Sequence, residues 1–359
     1  MPSPVNGKGN RYIKLADESC EAMRKANISS LLTALLLVLI PRLGLAQDAK
    51  LIAEGKKEGR VVVYGSLEGD IFDDIRKSFE KKTGIAVDYW RASAASVTER
   101  SLGEHRAGKA IADVVATNST PMLILYAEKI FTRYLSPAAK DFPPDIVHPD
   151  LGPRYRTGVV GILYNRSVLK PEAAPKSLED LLKPEFRGKL ALPDPTRGVI
   201  AASWPASLYK LMGKDRAEKF IRDLAATRPA IVEGVLNAAE RVTTGETPLG
   251  ISYLKYVVAF GQKGAPLDYV REPKMLGHGH YVGLDNKAAH PSAAKAFIDF
   301  FLGEESMKVM AKMGEFVTRK GVYPPLPDAD KIQEIEMDEL DTAAFAEKRK
   351  EYARLFLKQ

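Results

Sequence analysis

The sequence predicts an α/β protein with two lobes. Residues 61–89 have the pattern strand, helix, strand: a β-branched run at 61–64, apolar residues at helical spacing from Ile71 to Phe79, and a second strand from Ile85. Three successive predicted strands each end in a turn of small and polar residues, which parallel strands place at one edge of a sheet. The length, 359 residues, favours two lobes over one.

The first 46 residues are typical of a signal peptide that is removed on export. A Leu-rich run of 13 residues, Ile28–Ile40, is too short to span a bilayer comfortably and follows the basic pair Arg24-Lys25. Small residues favour cleavage after Ala46, and Met23 is the alternative start of a more ordinary signal peptide. An uncleaved membrane anchor is the other interpretation, but Pro41 closes the apolar run early.

Composition excludes several classes of function. The formal net charge of +7 falls to +4 on cleavage, because the removed segment holds six Lys/Arg and three Asp/Glu. So small a charge, without basic runs, gives no reason to expect a nucleic-acid partner. The only cysteine, Cys20, lies in the removed segment, so the mature chain has no disulfide, thiolate metal site or cysteine nucleophile.

The elements then follow in chain order. A short helix at 51–59 precedes the first strand, and the second helix ends at Lys82-Thr83-Gly84. Further strands are predicted at 111–116, 159–164, 190–192, 231–232, 249–253, 267–270 and 280–284. Further helices are predicted from the turn at 91–96 to about 106, and at 178–182, 199–212, 214–225, 238–243 and 291–302. We assign 47–158 to the first lobe, 159–270 to the second lobe with its hinge strands, 271–332 to a return to the first, and 333–359 to a charged surface helix or mobile tail.

The turns after the strands supply most candidate ligand-binding residues. Backbone N–H groups at a helix N-terminus meet a ligand at this edge, and the helix dipole favours an anion there. Each turn taken alone is also explained by ordinary helix capping. The candidates from the turns are Ser66, Leu67, Glu68, Arg91, Ser93, Asn118, Ser119, Thr196, Arg197 and Gly198.

Arginine and histidine side chains add two candidates outside these turns. Arg156 could grip a carboxylate or phosphate with two hydrogen bonds, although solvated loop arginines are the simpler interpretation. His278 and His280 alternate along a strand, so both rings could face one side and meet a ligand or a metal. No third metal ligand is evident beside them. No Gly-rich phosphate loop, GxSxG elbow, HExxH helix or CxxC pair occurs, so we predict that the protein is not an enzyme.

From residue 51 to about 324 the chain resembles the periplasmic substrate-binding proteins of ABC importers, in the branch similar to bacterial ferric-ion-binding proteins. The resemblance is carried by VVVYGSLEGD, FEKKTGIAVDYWRAS, IADVVATNS, GILYNRSVL, LEDLLKPEFRGKLALPDPT, TGETPLGISYLKY, KGAPLDYV and AAHPSAAKAFIDFFLGEESMKVMAKMG. It implies the type II periplasmic binding protein fold, in which two doubly wound α/β lobes joined by two crossover strands close over a ligand.

The resemblance also bears on the site residues. Glu68 matches a position where iron-binding members often place a metal ligand, and Asn118 matches another acidic ligand position. Those members show two adjacent tyrosines where this chain has Ile251-Ser252-Tyr253-Leu254, which adds Ser252 and Tyr253 as candidates. Leucine has no oxygen with which to bind a hard cation. Glu68 and Tyr253 are therefore the weak metal candidates, and no metal site is assured.

We therefore expect a periplasmic, monomeric protein without a cofactor that binds a small solute and delivers it to the permease subunits of an ABC transporter. The expected solute is an organic anion or zwitterion, with ferric ion plus a synergistic anion as the alternative. Because a fold does not fix a function, a periplasmic enzyme or signalling protein that reuses the two-lobe fold stays open.

Overall fold

The computed structural model describes residues 49–338, 340 and 342–357. The predicted signal peptide, residues 1–46, lies outside this range. The chain divides into two compact units, residues 1–54 and 55–359. Of the first, only residues 49–54 are described; they begin a helix and hold an ion pair between Lys50 and Glu54 at 3.9 Å. The paragraphs below concern residues 55–359.

Helices and strands alternate along most of the chain. The helices are α1 (49–58), α2 (Gly69–Thr83), α3 (Ala94–Arg106), α4 (Ser119–Ala127), α5 (Val199–Ser207), α6 (Tyr209–Met212), α7 (Lys214–Ala226), α8 (Val235–Thr243), α9 (Lys255–Gly261), α10 (Pro291–Phe301), α11 (Glu304–Lys312) and α12 (Thr342–Tyr352). The strands are β1 (Arg60–Gly65), β2 (Ala86–Arg91), β3 (Val114–Asn118), β4 (Phe131–Thr132), β5 (Val147–His148), β6 (Gly152–Pro153), β7 (Arg156–Asn165), β8 (Leu190–Pro193), β9 (Ala230–Val232), β10 (Leu249–Tyr253), β11 (Leu267–Tyr269), β12 (Lys274–Asp285), β13 (Phe316–Val317) and β14 (Gln333–Glu336).

One mixed sheet runs through both lobes in the order β2-β1-β3-β12-β7-β10-β8-β9. In the first lobe β2, β1 and β3 are parallel, and in the second lobe β10, β8 and β9 are parallel. The long strands β7 and β12 are antiparallel to each other and join the two halves. The far end of β12 pairs with β3, while the far end of β7 pairs with β10. The predicted α/β fold with two lobes and two crossover strands is thus confirmed.

Several boundaries differ from the prediction. The third strand begins at Val114 rather than Ile111, because the buried Asp113 turns its carboxylate to accept the N–H groups of Val62 (2.8 Å) and His290 (2.9 Å). The apolar helix predicted at 199–212 is divided into α5 and α6. Pro205 lies inside α5 and has no N–H, which weakens the helical ladder near this break. Strand β12 begins at Lys274, so His278 and His280 both lie on it.

The C-terminal segment differs most from the surface helix or mobile tail expected from its charge. Strand β14 pairs in parallel with β12, and the helix α12 that follows packs on α5. Met337, Tyr352 and Phe356 are buried in the hydrophobic cluster of the second lobe. The segment is therefore an integral part of that lobe, because three of its large apolar side chains are buried in the lobe's core.

No helix within the described residues is long and apolar enough to cross a membrane.

Candidate functional site

A cleft of about 630 Å³ opens between the two lobes at the edge of the sheet where the parallel strands end. The first lobe contributes α3 and the start of α4, and the second contributes the N-termini of α5 and α8 together with Tyr253. Leu340 and Phe345 of the C-terminal segment also line it. Its volume lies in the range of pockets that hold small organic ligands.

A second depression, of about 660 Å³, lies between α7 and α12 on the second lobe. Its lining includes Lys214, Arg222 and Lys348 together with Glu218 and Glu351. None of the residues that line it belongs to a strand of the sheet. We place the site in the interlobe cleft, because ligands of open α/β sheets bind beyond the carboxyl ends of the strands.

Three helix N-termini meet in the cleft. The cap positions are Asn118 for α4, Gly198 for α5 and Gly234 for α8, and none of the three is satisfied by a side-chain hydrogen bond. The helix α3 differs, because its cap residue Ser93 accepts a hydrogen bond from Ser96 N at 3.1 Å. N–H groups that no cap side chain accepts and the positive ends of three helix dipoles together favour an anionic group in the cleft.

Four charged side chains form a cluster where the crossover strands meet the cleft. Lys255 Nζ donates to Glu68 Oε1 at 2.5 Å and to Glu315 Oε1 at 2.9 Å, and Arg156 Nη1 donates to Glu315 Oε2 at 2.6 Å. The side chains of Arg156 and Glu315 are 5 % and 1 % exposed. The charges of two cations and two carboxylates balance, as buried ionised groups require.

Three members of this charge cluster, Arg156, Lys255 and Glu315, are held in their ionised forms at neutral pH. Burial alone would raise the pKa of Glu315, but the Arg156 guanidinium and the Lys255 ammonium outweigh it and lower that pKa to about 2. Burial opposes the charge of Lys255 as well, yet Glu315 and Glu68 raise its pKa above the ordinary lysine value. The cluster is therefore a fixed set of charges that links Glu68 of the first lobe to Lys255 of the second.

His278 and His280 lie side by side next to the charge cluster. Their ring centroids are 5.0 Å apart, as the alternating spacing predicted, and His278 lies 5.4 Å from the ring of Tyr253. Burial first, and then the cations Arg156 and Lys255, lower the pKa of His278 to about 3 and that of His280 well below its usual value. Both rings are neutral at physiological pH, so neither supplies a positive charge to an anion.

Glycine in the neighbouring crossover strand makes room for this histidine. A Cβ atom at Gly158 of β7 would lie 2.4 Å from His278 Cε1.

Among the described residues, His278 Nδ1, His280 Nδ1 and Ser119 Oγ are buried without a hydrogen-bond partner. The described residues contain no group of three or more His, Cys, Asp or Glu side chains placed to hold a metal ion.

The structure brings together part of the predicted set. Asn118, Gly198 and Tyr253 line the cleft directly. Glu68, Arg156 and His278 belong to the polar groups at the crossover strands, where Arg156 is paired with Glu315. The structure places Arg156 on β7, buried and paired with Glu315 and not in a solvated loop, and its grip on an anionic ligand stays a prediction.

The other predicted residues lie outside the lining of the cleft, and several of them make hydrogen bonds within the local fold. Ser66 accepts a hydrogen bond from Thr117, and Ser252 donates to the Val235 carbonyl. Thr196 donates to Asp194 through both N and Oγ1, which fixes the turn before α5. Outside the lining of the cleft are Leu67, which is buried in the core; Arg91, which is exposed; and Arg197, which is 65 % exposed and 3.6 Å from Asp194.

Several residues of the site were missed by sequence reasoning. Lys255 and Glu315 complete the charge cluster, Glu99 and Glu233 line the cleft, and Leu340 and Phe345 come from the C-terminal segment. A signal for Glu233 existed, because Glu233-Gly234 follows the short strand at 231–232 as another strand-to-helix turn. Lys255 directly follows the Tyr253-Leu254 pair, but its partner Glu68 is 187 residues away in the sequence.

Comparisons with known proteins identify relatives of this chain. The model of the family described as bacterial extracellular solute-binding protein matches residues 111–343. The Fe(3+)-binding periplasmic protein of Serratia marcescens is 23% identical over 290 residues, which cover 75% of this chain and 83% of the relative.

Two solved structures have the same fold. Iron-bound HitA from Pseudomonas aeruginosa has a TM-score of 0.65 and 22% identity, with 83% of this chain and 98% of that chain covered. The periplasmic binding protein AfuA from Actinobacillus pleuropneumoniae, bound to fructose-6-phosphate, has a TM-score of 0.61 and 23% identity, with 84% and 97% covered. At this identity the likeness shows the type II periplasmic binding protein fold.

Proposed function

The chain belongs to the family of bacterial extracellular solute-binding proteins, and from this premise we propose that it captures a small organic anion or zwitterion in the interlobe cleft and delivers it to the permease of an ABC importer. The observation that carries the proposal is the meeting of three uncapped helix N-termini in one cleft of about 630 Å³. Members of the family are binding proteins, and stoichiometric capture without turnover is the expected behaviour.

The charge cluster favours an organic solute over ferric ion. A carboxylate at Glu68 needs a cationic partner, and Lys255 Nζ supplies it from the opposite lobe at 2.5 Å. The ammonium also lies 5.8 Å from the ring centroid of Tyr253, where it would repel a bound trivalent cation. Leu254, at the position of a second tyrosine, is fully buried in the hydrophobic core. Each weak metal candidate thus has a lysine beside it.

Purification without refolding, followed by native mass spectrometry and elemental analysis, tests the proposal. We expect one unmodified organic anion or zwitterion per chain and less than stoichiometric iron. Stoichiometric iron with a tyrosinate charge-transfer band that Tyr253→Phe abolishes would replace our proposal by ferric transport. Chemical conversion of the bound solute would instead indicate the periplasmic enzyme.

Export is part of the same proposal, because an importer component of this family has to meet its solute outside the inner membrane. We propose that residues 1–46 are removed and that the mature protein acts in the periplasm. The intact mass of the periplasmic protein should correspond to a chain that begins at Gln47. Recovery of the full 359-residue chain from the cytoplasm would contradict it.

A further inference from the structure

Apolar side chains line one side of the cleft. Ile124 of α4 and Val199 of α5 are 44 % and 40 % exposed, come from opposite lobes and line the same cleft. A single exposed apolar side chain is common on any protein surface, whereas two on facing walls of one pocket indicate an apolar contact surface. Ligand pockets typically combine such a surface with a few polar groups that fix orientation.

The C-terminal segment extends this apolar side with Leu340 and Phe345. Both are held in place by contacts with the second lobe. Asp338 N donates to Ser207 Oγ at 2.9 Å and Leu340 N donates to Ser203 Oγ at 3.2 Å, so the chain is tied to α5 just before it reaches the cleft. The helix α12 that carries Phe345 is anchored further along by the buried Tyr352. The aromatic ring is thus presented on a fixed element.

The polar groups of the cleft determine which charged group the ligand carries at the end away from its apolar part. The uncapped N-termini of α4, α5 and α8 favour one anionic group. The carboxylates of Glu99 and Glu233 also line the cleft, and they disfavour a second negative charge. A solute that suits both ends carries a single carboxylate and an apolar body, and an added ammonium group could pair with one of the two glutamates.

We propose that the solute is a carboxylate with an aromatic or branched apolar group, which packs against Phe345, Leu340 and Ile124 while the carboxylate lies at the helix N-termini. This inference rests on the proposed function and narrows its class of solute. A plain organic carboxylate and an amino acid share the required chemistry, so the experiment contains an arm for each.

Isothermal titration of the mature protein with four probes tests the inference. We expect 3-phenylpropionate to bind at least about tenfold more tightly than propionate, and L-phenylalanine more tightly than glycine by a similar factor, because the phenyl ring buries apolar area. Comparison of 3-phenylpropionate with L-phenylalanine identifies whether the solute carries an amine. Native mass spectrometry of the purified protein gives an independent identification of the solute.

Phe345→Ala should reduce the preference for the phenyl-bearing probe about tenfold and leave the affinity for its short counterpart nearly unchanged. Ile124→Ala is the second variant, because Ile124 is 44 % exposed and its truncation should not disturb folding. Tyr323→Ala is the matched control: Tyr323 is an exposed aromatic side chain that does not line the cleft, so its removal should not alter any of the four affinities.

Other outcomes would overturn the inference. If the protein retains a small polar organic solute such as a sugar phosphate or citrate, or if the variants weaken all probes equally, the apolar side of the cleft serves lobe closure and not solute recognition. Binding of an organic solute would still stand in those cases, whereas retention of ferric ion would overturn the proposed organic solute as well. Retention of no solute, together with no binding of any probe, would count against both the inference and the proposed function.

Discussion

At Lys255 a side chain of the second lobe occupies the position at which a bound cation would meet Glu68. Its ammonium bonds to two carboxylates, Glu68 and Glu315, and the latter is shared with Arg156. Removal of one cation from such a cluster leaves a buried carboxylate with less compensating charge. The resulting loss of stability is larger than the net stabilisation that the ion pair provides. The identity of this one residue therefore influences both stability and the charge of the solute.

Lys255→Met should destabilise the protein by about 2–4 kcal/mol, because Glu315 loses one of its two cations in a buried position. Urea unfolding at pH 7 measures the change. Lys263→Met is the control, since Lys263 is exposed and its replacement should change the free energy of unfolding by less than about 0.5 kcal/mol. Equal stabilities of the two variants would show that the charge cluster is not a stabilising unit.

The neutral His278 predicts a specific loss of stability in acid. Its pKa is about 3 in the folded protein and near 6.5 when unfolded, so below pH 6.5 the unfolded chain binds a proton that the folded chain refuses. The free energy of unfolding should therefore fall as the pH decreases from 6.5 towards 3, by about 1.4 kcal/mol per pH unit from this residue. In His278→Asn the slope over this interval should be smaller by that amount. Parallel curves for the two proteins would contradict the assignment.

At the scale of secondary structure, much of the fold could be predicted because its signals are local. The βαβ unit at 60–91 follows from a β-branched run and from helical spacing of Ile71, Phe72, Ile75 and Phe79, all of which are buried. The crossover strands could be located in part: the apolar run at 159–164 lies within β7, and the strand predicted at 280–284 is the C-terminal part of β12.

The parts of the fold and of the site that could not be predicted depend on contacts between segments distant in the sequence. The pairing of Lys255 with Glu68 joins two lobes, and no local pattern distinguishes it from two solvated charges. The segment 333–357 has the composition of a surface tail, and only its docking on α5 reveals that Leu340 and Phe345 belong to the cleft. The pairing of Arg156 could not be predicted for the same reason, because its partner Glu315 lies 159 residues later in the sequence.

The packing of the crossover strands gives a prediction at this scale. Gly158→Ala should destabilise the protein by about 1–3 kcal/mol, because the added Cβ would lie 2.4 Å from the His278 ring between β7 and β12. Gly103→Ala, inside α3 with no atom within 4 Å of the new Cβ, is the matched control and should stabilise by about 0.5–1 kcal/mol. Thermal or urea unfolding distinguishes them, and His278→Ala in the same chain should recover part of the loss caused by Gly158→Ala.

At the scale of the whole molecule, the two crossover strands are the part of the sheet that has to deform when the lobes move. They are the hydrogen-bonded connection between the parallel strands of each lobe, so a change of angle between the lobes requires them to bend. Arg156 and His278 lie on these strands, and Lys255 and Glu315 connect Arg156 to Glu68 of the first lobe.

Solute binding should make the protein more compact in solution, because a solute that contacts both lobes favours the closed arrangement. Small-angle X-ray scattering with and without saturating solute measures the radius of gyration, and a decrease is expected. Lys255→Met is the informative comparison: without the Glu68–Lys255 bond the solute-free protein should have a larger radius than the wild type. An unchanged radius at saturation would contradict lobe closure.

The C-terminal wall of the cleft has a practical consequence for the design of expression clones. The match to the family model ends at residue 343, and a clone that stops there would keep every strand of the sheet. It would nevertheless lack Phe345 and the anchor Tyr352, and Leu340 would be left near an unsecured chain end. A truncated protein of this kind could fold and crystallise as a family member and still select a different solute, so screens for the transported compound should use the chain through residue 359.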